Sequence, residues 1–176
     1  MSPTSAARTV LAHTADVADF PKPGIQFKDL SPLYADHEAF RAVIADVVER
    51  RRGSVDLVCG IEARGSIVGA PVALGLDVGF VPVRKAGKLP GPTLAETYEL
   101  EYGTATIEVH PEPFVDGPRV LLIDDVLATG GTARAAAALL RRAGAQVVGF
   151  EALLELTALD GRARLDGLPT HAVAGV

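Results

Sequence analysis

The stretch Val120-Leu121-Leu122-Ile123-Asp124-Asp125-Val126-Leu127-Ala128-Thr129-Gly130-Gly131-Thr132 constrains the fold more than any other part of the chain. Arg119 to Ile123 is a short, almost wholly apolar run of strand length, suited to a sheet covered on both faces. Behind it, Thr132 to Ala143 is rich in alanine and leucine and is closed by Gly144, which predicts a helix. This order places Asp124 and Asp125 at the carboxyl end of a strand, where ligands bind in open α/β sheets.

The same grammar recurs upstream. Val55 to Cys59 reads as a strand, Gly60 to Gly65 as a turn, Ile67 to Leu74 as a helix of small residues and Val78 to Val83 as the next strand, which is a βαβ unit. Before it, Phe40, Val43, Ile44, Val47 and Val48 fall on one helical face, with Arg50, Arg51 and Arg52 at the negative end of the helix dipole and Gly53 as a stop. Val147 to Leu154 supplies a further strand. The predicted fold is therefore α/β, an open parallel sheet flanked by helices, and no linker or repeat divides the 176 residues into more than one domain. Ala7, Val10, Leu11 and Thr14 predict an N-terminal helix that runs into the extended segment Phe20-Pro21-Lys22-Pro23-Gly24. Arg84 to Pro92 reads as a mobile loop leading into a β-hairpin over Thr97 to His110, turning at Tyr102-Gly103.

The loop after the two acids is built for an anion. Gly130 and Gly131 let the backbone approach closely, while Thr129, Thr132 and the free N–H groups of the helix converge on one spot. An ordinary turn with Thr132 as helix cap would need one acid or one glycine, whereas this loop stacks two of each with two threonines. Acids beside a bound phosphate would repel it unless something lies between them, and sugar hydroxyls and a hydrated Mg²⁺ are the natural candidates.

Composition narrows the function classes. A net charge of -5 argues against a general nucleic-acid binder, which needs a clustered basic surface. Cys59 is the single cysteine, so the chain has no internal disulfide or thiolate cluster and Cys59 reads as a small buried hydrophobe. Met1 to Arg8 lack the pattern of a signal peptide and no apolar stretch approaches a membrane span, so a cytoplasmic protein is expected. His13, His37, His110 and His171 lack paired ligand spacing, and neither the P-loop nor the dinucleotide-binding glycine motif occurs.

The Asp124 to Thr132 loop resembles the signature of the type I phosphoribosyltransferases, which bind 5-phosphoribosyl 1-pyrophosphate (PRPP). Phe20 to Asp29, Glu62-Ala63-Arg64-Gly65, Arg84 to Gly91 and Glu101-Tyr102-Gly103 extend the resemblance, and together they are similar to the adenine phosphoribosyltransferases. That resemblance implies transfer of the 5-phosphoribosyl group from PRPP to adenine, giving AMP and pyrophosphate, with Mg²⁺ as cofactor and a homodimer as the assembly. It implies that Ala128, Thr129, Gly130, Gly131 and Thr132 hold the phosphate and that Asp124 and Asp125 hold the ribose, possible contacts of Mg²⁺. Arg64, Arg84, Lys85, Lys88 and Tyr102 become pyrophosphate ligands, on a loop able to close over the sugar. Taken alone, Arg64 reads equally as a surface residue, and the three loop cations as a solvated face. The resemblance further implies that residues 1–35 form an N-terminal helix and a base-binding hood, in which Gln26, Phe27 and Lys28 meet adenine, with Leu156 on its other face, and that residues 36–176 form the PRPP-binding core. Glu101 is the candidate acid–base residue, able to hold the proton that the imidazole edge of the base gives up. Gln26 and Lys28 depart from the apolar residue and arginine of many relatives, and the tail after His171 is short.

Two rivals remain open on sequence. A 6-oxopurine phosphoribosyltransferase needs a donor aimed at the ring oxygen; Val147 to Leu156 contains no lysine, which leaves Lys28 as the one candidate. A PRPP-sensing regulator without catalysis would need a DNA-binding extension and a basic face, and only about twenty residues precede Phe20.

Overall fold

The computed structural model describes residues 4–100, 103–165 and 167–176. Helix α1 (Ser5–Ala12) is followed by a short hairpin of β1 (Ala15–Ala18) and β2 (Gln26–Asp29), then by helices α2 (Ser31–Ala35) and α3 (His37–Arg51). The core continues with β3 (Leu57–Ile61), α4 (Arg64–Leu76), β4 (Gly79–Lys85), β5 (Leu94–Leu100), β6 (Gly103–Val109), β7 (Arg119–Leu127), α5 (Gly131–Ala143), β8 (Gln146–Glu155) and β9 (Thr170–Gly175). The large sheet has the order β5-β6-β4-β3-β7-β8-β9. Strands β4, β3, β7, β8 and β9 run parallel, and the β5–β6 hairpin adds an antiparallel edge beside β4.

Strand β7 shows why both faces are covered. Side chains alternate along a strand, so Leu121 and Ile123 enter the core shared with α1, α3 and α4, while Val120 and Leu122 enter the core beneath α5. All four are at most 1% exposed, and each such burial contributes roughly 1.5–3 kcal/mol before entropy is counted. The α/β fold expected from the sequence is the fold observed.

Several boundaries differ from expectation. Strand β7 runs on through the acids to Leu127 because it stays paired with β8 as far as Leu127 opposite Glu155. Its pairing with β3 ends at Ile123 opposite Gly60, so Asp124 and Asp125 stand on the strand where one neighbour has left, and that departure opens a crevice. The first parallel strand is shifted two residues later than predicted, to Leu57–Ile61. Arg84 and Lys85 belong to β4, paired with Glu108 and Ile107 of β6, and not to a loop. The hood is a true hairpin, and β9 was not foreseen at all.

Arg50 and Arg51 also do more than face the helix dipole. Arg51 Nε lies 2.7 Å from Glu151 Oε1 and Arg50 Nη1 3.1 Å from Glu151 Oε2. Glu151 is 1% exposed on β8, and burying a carboxylate is costly unless it is paired in this way.

Candidate active site

Close backbone approach sets the position of the first cation. A Cβ on Gly65 would lie 2.6 Å from the Ile123 carbonyl oxygen, and one on Gly60 would lie 2.6 Å from the Gly65 oxygen. The start of α4 is thereby pressed onto the ends of β3 and β7, and Arg64 is carried to the crevice beside the acids. Its Nε lies 2.8 Å from Asp125 Oδ2, and its guanidinium sits over the Phe27 ring, 4.9 Å from the centroid. Phe27 itself meets Phe20 edge-on at 5.0 Å.

Tyr34 of α2 completes the group, donating to Asp125 Oδ2 over 3.2 Å. Burial, then the Asp125 carboxylate, pushes the Tyr34 hydroxyl far above its usual range, so it stays a donor. Asp124 turns back on the chain and accepts the Asp125 amide at Oδ1 over 2.9 Å. Desolvation, followed by the charge of Asp125, raises the Asp124 carboxyl well above the ordinary carboxylate range.

The anion loop forms as its glycines dictate. Gly130 takes φ +78° as the cap of α5, leaving the first amides of the helix without a side-chain partner from the cap. The loop is braced from behind: a Cβ on Gly130 would fall 2.2 Å from the Gly161 oxygen, and one on Gly161 would fall 2.1 Å from the Ala128 oxygen. Gly161 was missed by sequence reasoning, although Asp160-Gly161 is an evident turn signal. Thr129, Gly130, Gly131 and Thr132 line a recess of about 80 Å³. Asp124 and Thr132 form its boundary with a larger cleft of about 690 Å³ that also receives Gln26, Phe27, Lys28, Arg64, Lys85 and Leu156.

Other predicted residues fall elsewhere. Arg84 does not face this cleft; its Nε lies 2.9 Å from Glu62 Oε2, which also accepts the Lys85 amide over 2.8 Å. The Arg84 guanidinium, with the Lys85 amide, holds the Glu62 carboxyl below its usual range. Lys88 is likewise outside the cleft, its amide and that of Leu89 each donating to Glu108 Oε1 over 2.9 Å. The segment read as a mobile loop is thus pinned by Glu108, an acid 5% exposed. Lys28 Nζ is bonded across the hood hairpin to Asp16 Oδ1. Glu101 and Tyr102 lie outside the described residues. Among the described residues no cluster of three or more His, Cys, Asp or Glu could cage a metal ion, and no helix is long and apolar enough to cross a membrane.

A family model for the phosphoribosyl transferase domain matches residues 33–167. An adenine phosphoribosyltransferase of Streptomyces coelicolor is 54% identical over 99% of this chain and 98% of its own length. One of Thermobifida fusca is 52% identical over 98% and 99% respectively. Among solved structures, the adenine phosphoribosyltransferase of Rhodothermus marinus superposes with a TM-score of 0.92 at 50% identity, covering 98% of this chain and 99% of that one.

Proposed function

The chain belongs to the phosphoribosyl transferase family, and on that footing we propose that it transfers the 5-phosphoribosyl group of PRPP to adenine, releasing AMP and pyrophosphate. The observation that carries this reading is the contiguity of three parts in one crevice. An aromatic hood at Phe27 and an acid pair at Asp124 and Asp125 stand at the cleft, and the glycine–threonine recess opens beside them. A purine, a ribose and a phosphate need those three surfaces in that order.

In this reading the 5′-phosphate sits on the amides and hydroxyls of Thr129 to Thr132 at the head of α5. The ribose hydroxyls meet the acid pair, and adenine stacks on Phe27 with Leu156 opposite. Arg64 and Lys85 receive the pyrophosphate. In the reaction the C1′–oxygen bond to pyrophosphate breaks as the purine nitrogen bonds to C1′, and that nitrogen's ring gives up a proton, which Glu101 accepts. Mg²⁺ suits a site where two carboxylates stand beside a phosphate recess, because it keeps several waters and leans on substrate phosphates. Asp124 and Asp125 would hold it through that shell, where it would neutralise charge on the departing pyrophosphate.

The 6-oxopurine alternative is disfavoured because Lys28, its sole candidate donor, is engaged by Asp16. We further place the whole chain in one domain, with residues 1–35 as hood and 36–176 as core. A homodimer is proposed from the family. Its contact face is α4, where Ile67, Pro71 and Leu74 share one side and Leu74 is 82% exposed. A reducing, cytoplasmic setting suits the buried, unpaired Cys59. The deciding experiment incubates the protein with PRPP and Mg²⁺ plus adenine or hypoxanthine. Formation of AMP and pyrophosphate with adenine is expected, at least ~100-fold faster in kcat/KM than product from hypoxanthine; comparable rates would transfer the chain to the rival specificity.

A further inference from the structure

Thr132 receives a hydrogen bond from a direction that the phosphate reading does not require. Tyr98, on strand β5 of the edge hairpin, donates its hydroxyl to Thr132 Oγ1 over 3.1 Å. Thr132 is the second residue of α5 and stands on the boundary between the recess and the cleft. A threonine hydroxyl has one hydrogen and can also accept. With Tyr98 occupying an acceptor position, the hydrogen of Thr132 is left for an acceptor in the recess. The rotor is thereby fixed before a phosphate arrives.

The hairpin is seated on the same helix further along. Arg142, in the last turn of α5, bonds to the Glu96 carboxylate and to the Ala95 carbonyl oxygen. Thr97 and Thr106 are joined across the hairpin at 2.9 Å. Arg142 and Tyr98 are thus two points at which β5 touches α5, and Tyr98 is the one nearer the anion loop. Tyr98 stands three positions before Glu101 on the same segment of chain.

Resting on the proposed phosphate site, we infer that Tyr98 is a positioning residue. It orients the Thr132 hydroxyl toward the 5′-phosphate and couples the seating of the β5–β6 hairpin to occupation of that loop. It touches no reacting atom. It acts through Thr132, and its influence is confined to ligands that carry the phosphate.

The test is calorimetric titration of AMP and, separately, of adenine alone into the wild type, Tyr98→Phe, Thr132→Ala and the double variant. Loss of one oriented hydrogen bond predicts that Tyr98→Phe weakens AMP by about 3- to 10-fold. Adenine affinity should stay unchanged, and the double variant should bind AMP no more weakly than Thr132→Ala. A general structural role for the tyrosine would weaken both ligands. Full additivity, or a Tyr98→Phe variant with wild-type AMP affinity while Thr132→Ala is impaired, would overturn the inference and leave the phosphate site standing. A Thr132→Ala variant that binds AMP normally would overturn the phosphate site, and the role of Tyr98 with it.

Discussion

Arg64 bridges the two halves of the crevice: its Nε is 2.8 Å from Asp125 Oδ2 while its guanidinium covers the ring of Phe27. In the proposed reaction the acid belongs to the ribose and the ring to the purine, so the arginine stands on the ground of both. Binding must exchange these contacts for the pyrophosphate. We expect Arg64→Ala to bind adenine alone at least as tightly as the wild type, because the stacking face is uncovered. Its kcat/KM for PRPP should fall by roughly 10²–10³, the range for loss of a preorganised donor to developing charge. Titration of adenine without PRPP, beside steady-state rates, separates the two; adenine affinity falling with the rate would show that Arg64 builds the base site instead of screening it.

The acid pair has a pH signature whose sign is fixed. Asp124 is raised above its unfolded value, first by desolvation and then by Asp125. A raised carboxyl contributes stability that is complete below the unfolded value, near pH 4, and is lost as pH climbs through the folded value. Asp124→Asn keeps the acceptor for the Asp125 amide and removes the titration. Its Tm should exceed that of the wild type at pH 7 by about 2–4 °C for each kcal/mol recovered. The gap should close as pH approaches 4. Equal Tm values across that window would mean that the Asp124 charge is not strained in the fold.

Lys28 tests how the base is read. Its ammonium is committed to Asp16 across the β1–β2 hairpin, where Asp16 pairs with Lys28 in register, so in the proposed reading recognition of the purine edge would fall to the hood backbone. Lys28→Ala should keep adenine turnover within about 3-fold and leave hypoxanthine rejected, since an exposed ion pair of this kind is worth no more than about 1 kcal/mol. Parallel assays with the two bases decide it. Loss of adenine activity with preserved folding would assign the reading to the side chain.

The proposed dimer makes its own demand. Ile67, Pro71 and Leu74 recur on one side of α4, and Leu74 is 82% exposed, beside an apolar hollow formed with Phe40 and Ile44 of α3. Leu74→Lys should shift the protein from dimer to monomer in sedimentation at micromolar concentration. A dimer that persists would move the contact to another surface.

How much of this was legible beforehand follows from the range of the interactions concerned. The β7–α5 unit could be read because its signals are local: a continuous apolar run, a glycine loop and an alanine-rich helix. Phe27, Arg64 and the acids could be singled out because short motifs carry them, and they line one cleft. Strand β9 was invisible because Thr170 to Gly175 is a short stretch with only one large apolar side chain, Val173, and its pairing partner lies on β8. Arg84 was read as loop because charge and glycine content dominate its neighbourhood, whereas it lies at the end of β4 beside Glu62; Lys88 does lie in the loop, but its amide is held by Glu108, a residue distant in sequence. Tyr34 and Tyr98 went unnoticed for the same reason, their partners being Asp125 and Thr132.

Gly161 offers the sharpest mechanical test of the anion loop. It is not held there by a positive φ; it is required by proximity, since a side-chain carbon would stand 2.1 Å from the Ala128 oxygen and 2.9 Å from the Gly130 amide nitrogen. Both of those atoms are backbone, so Gly161→Ala can be accommodated only by moving the loop or the turn that supports it. Overpacking of this sort costs about 1–3 kcal/mol, and displacement of a positioning loop by about 1 Å can cost 10²-fold in rate. The expected result is a lower Tm together with a rise of at least ~10-fold in the KM for PRPP. Adenine affinity should fall less than that for PRPP, because the Phe27 face of the base site stands on the hood and only the Leu156 face shares a segment with this turn. Measured on the same preparation, a lowered Tm with an unchanged KM for PRPP would mean that the 161 turn yields and the phosphate loop keeps its shape. The recess between Thr129 and Thr132 would then owe its form to α5 and β7 alone.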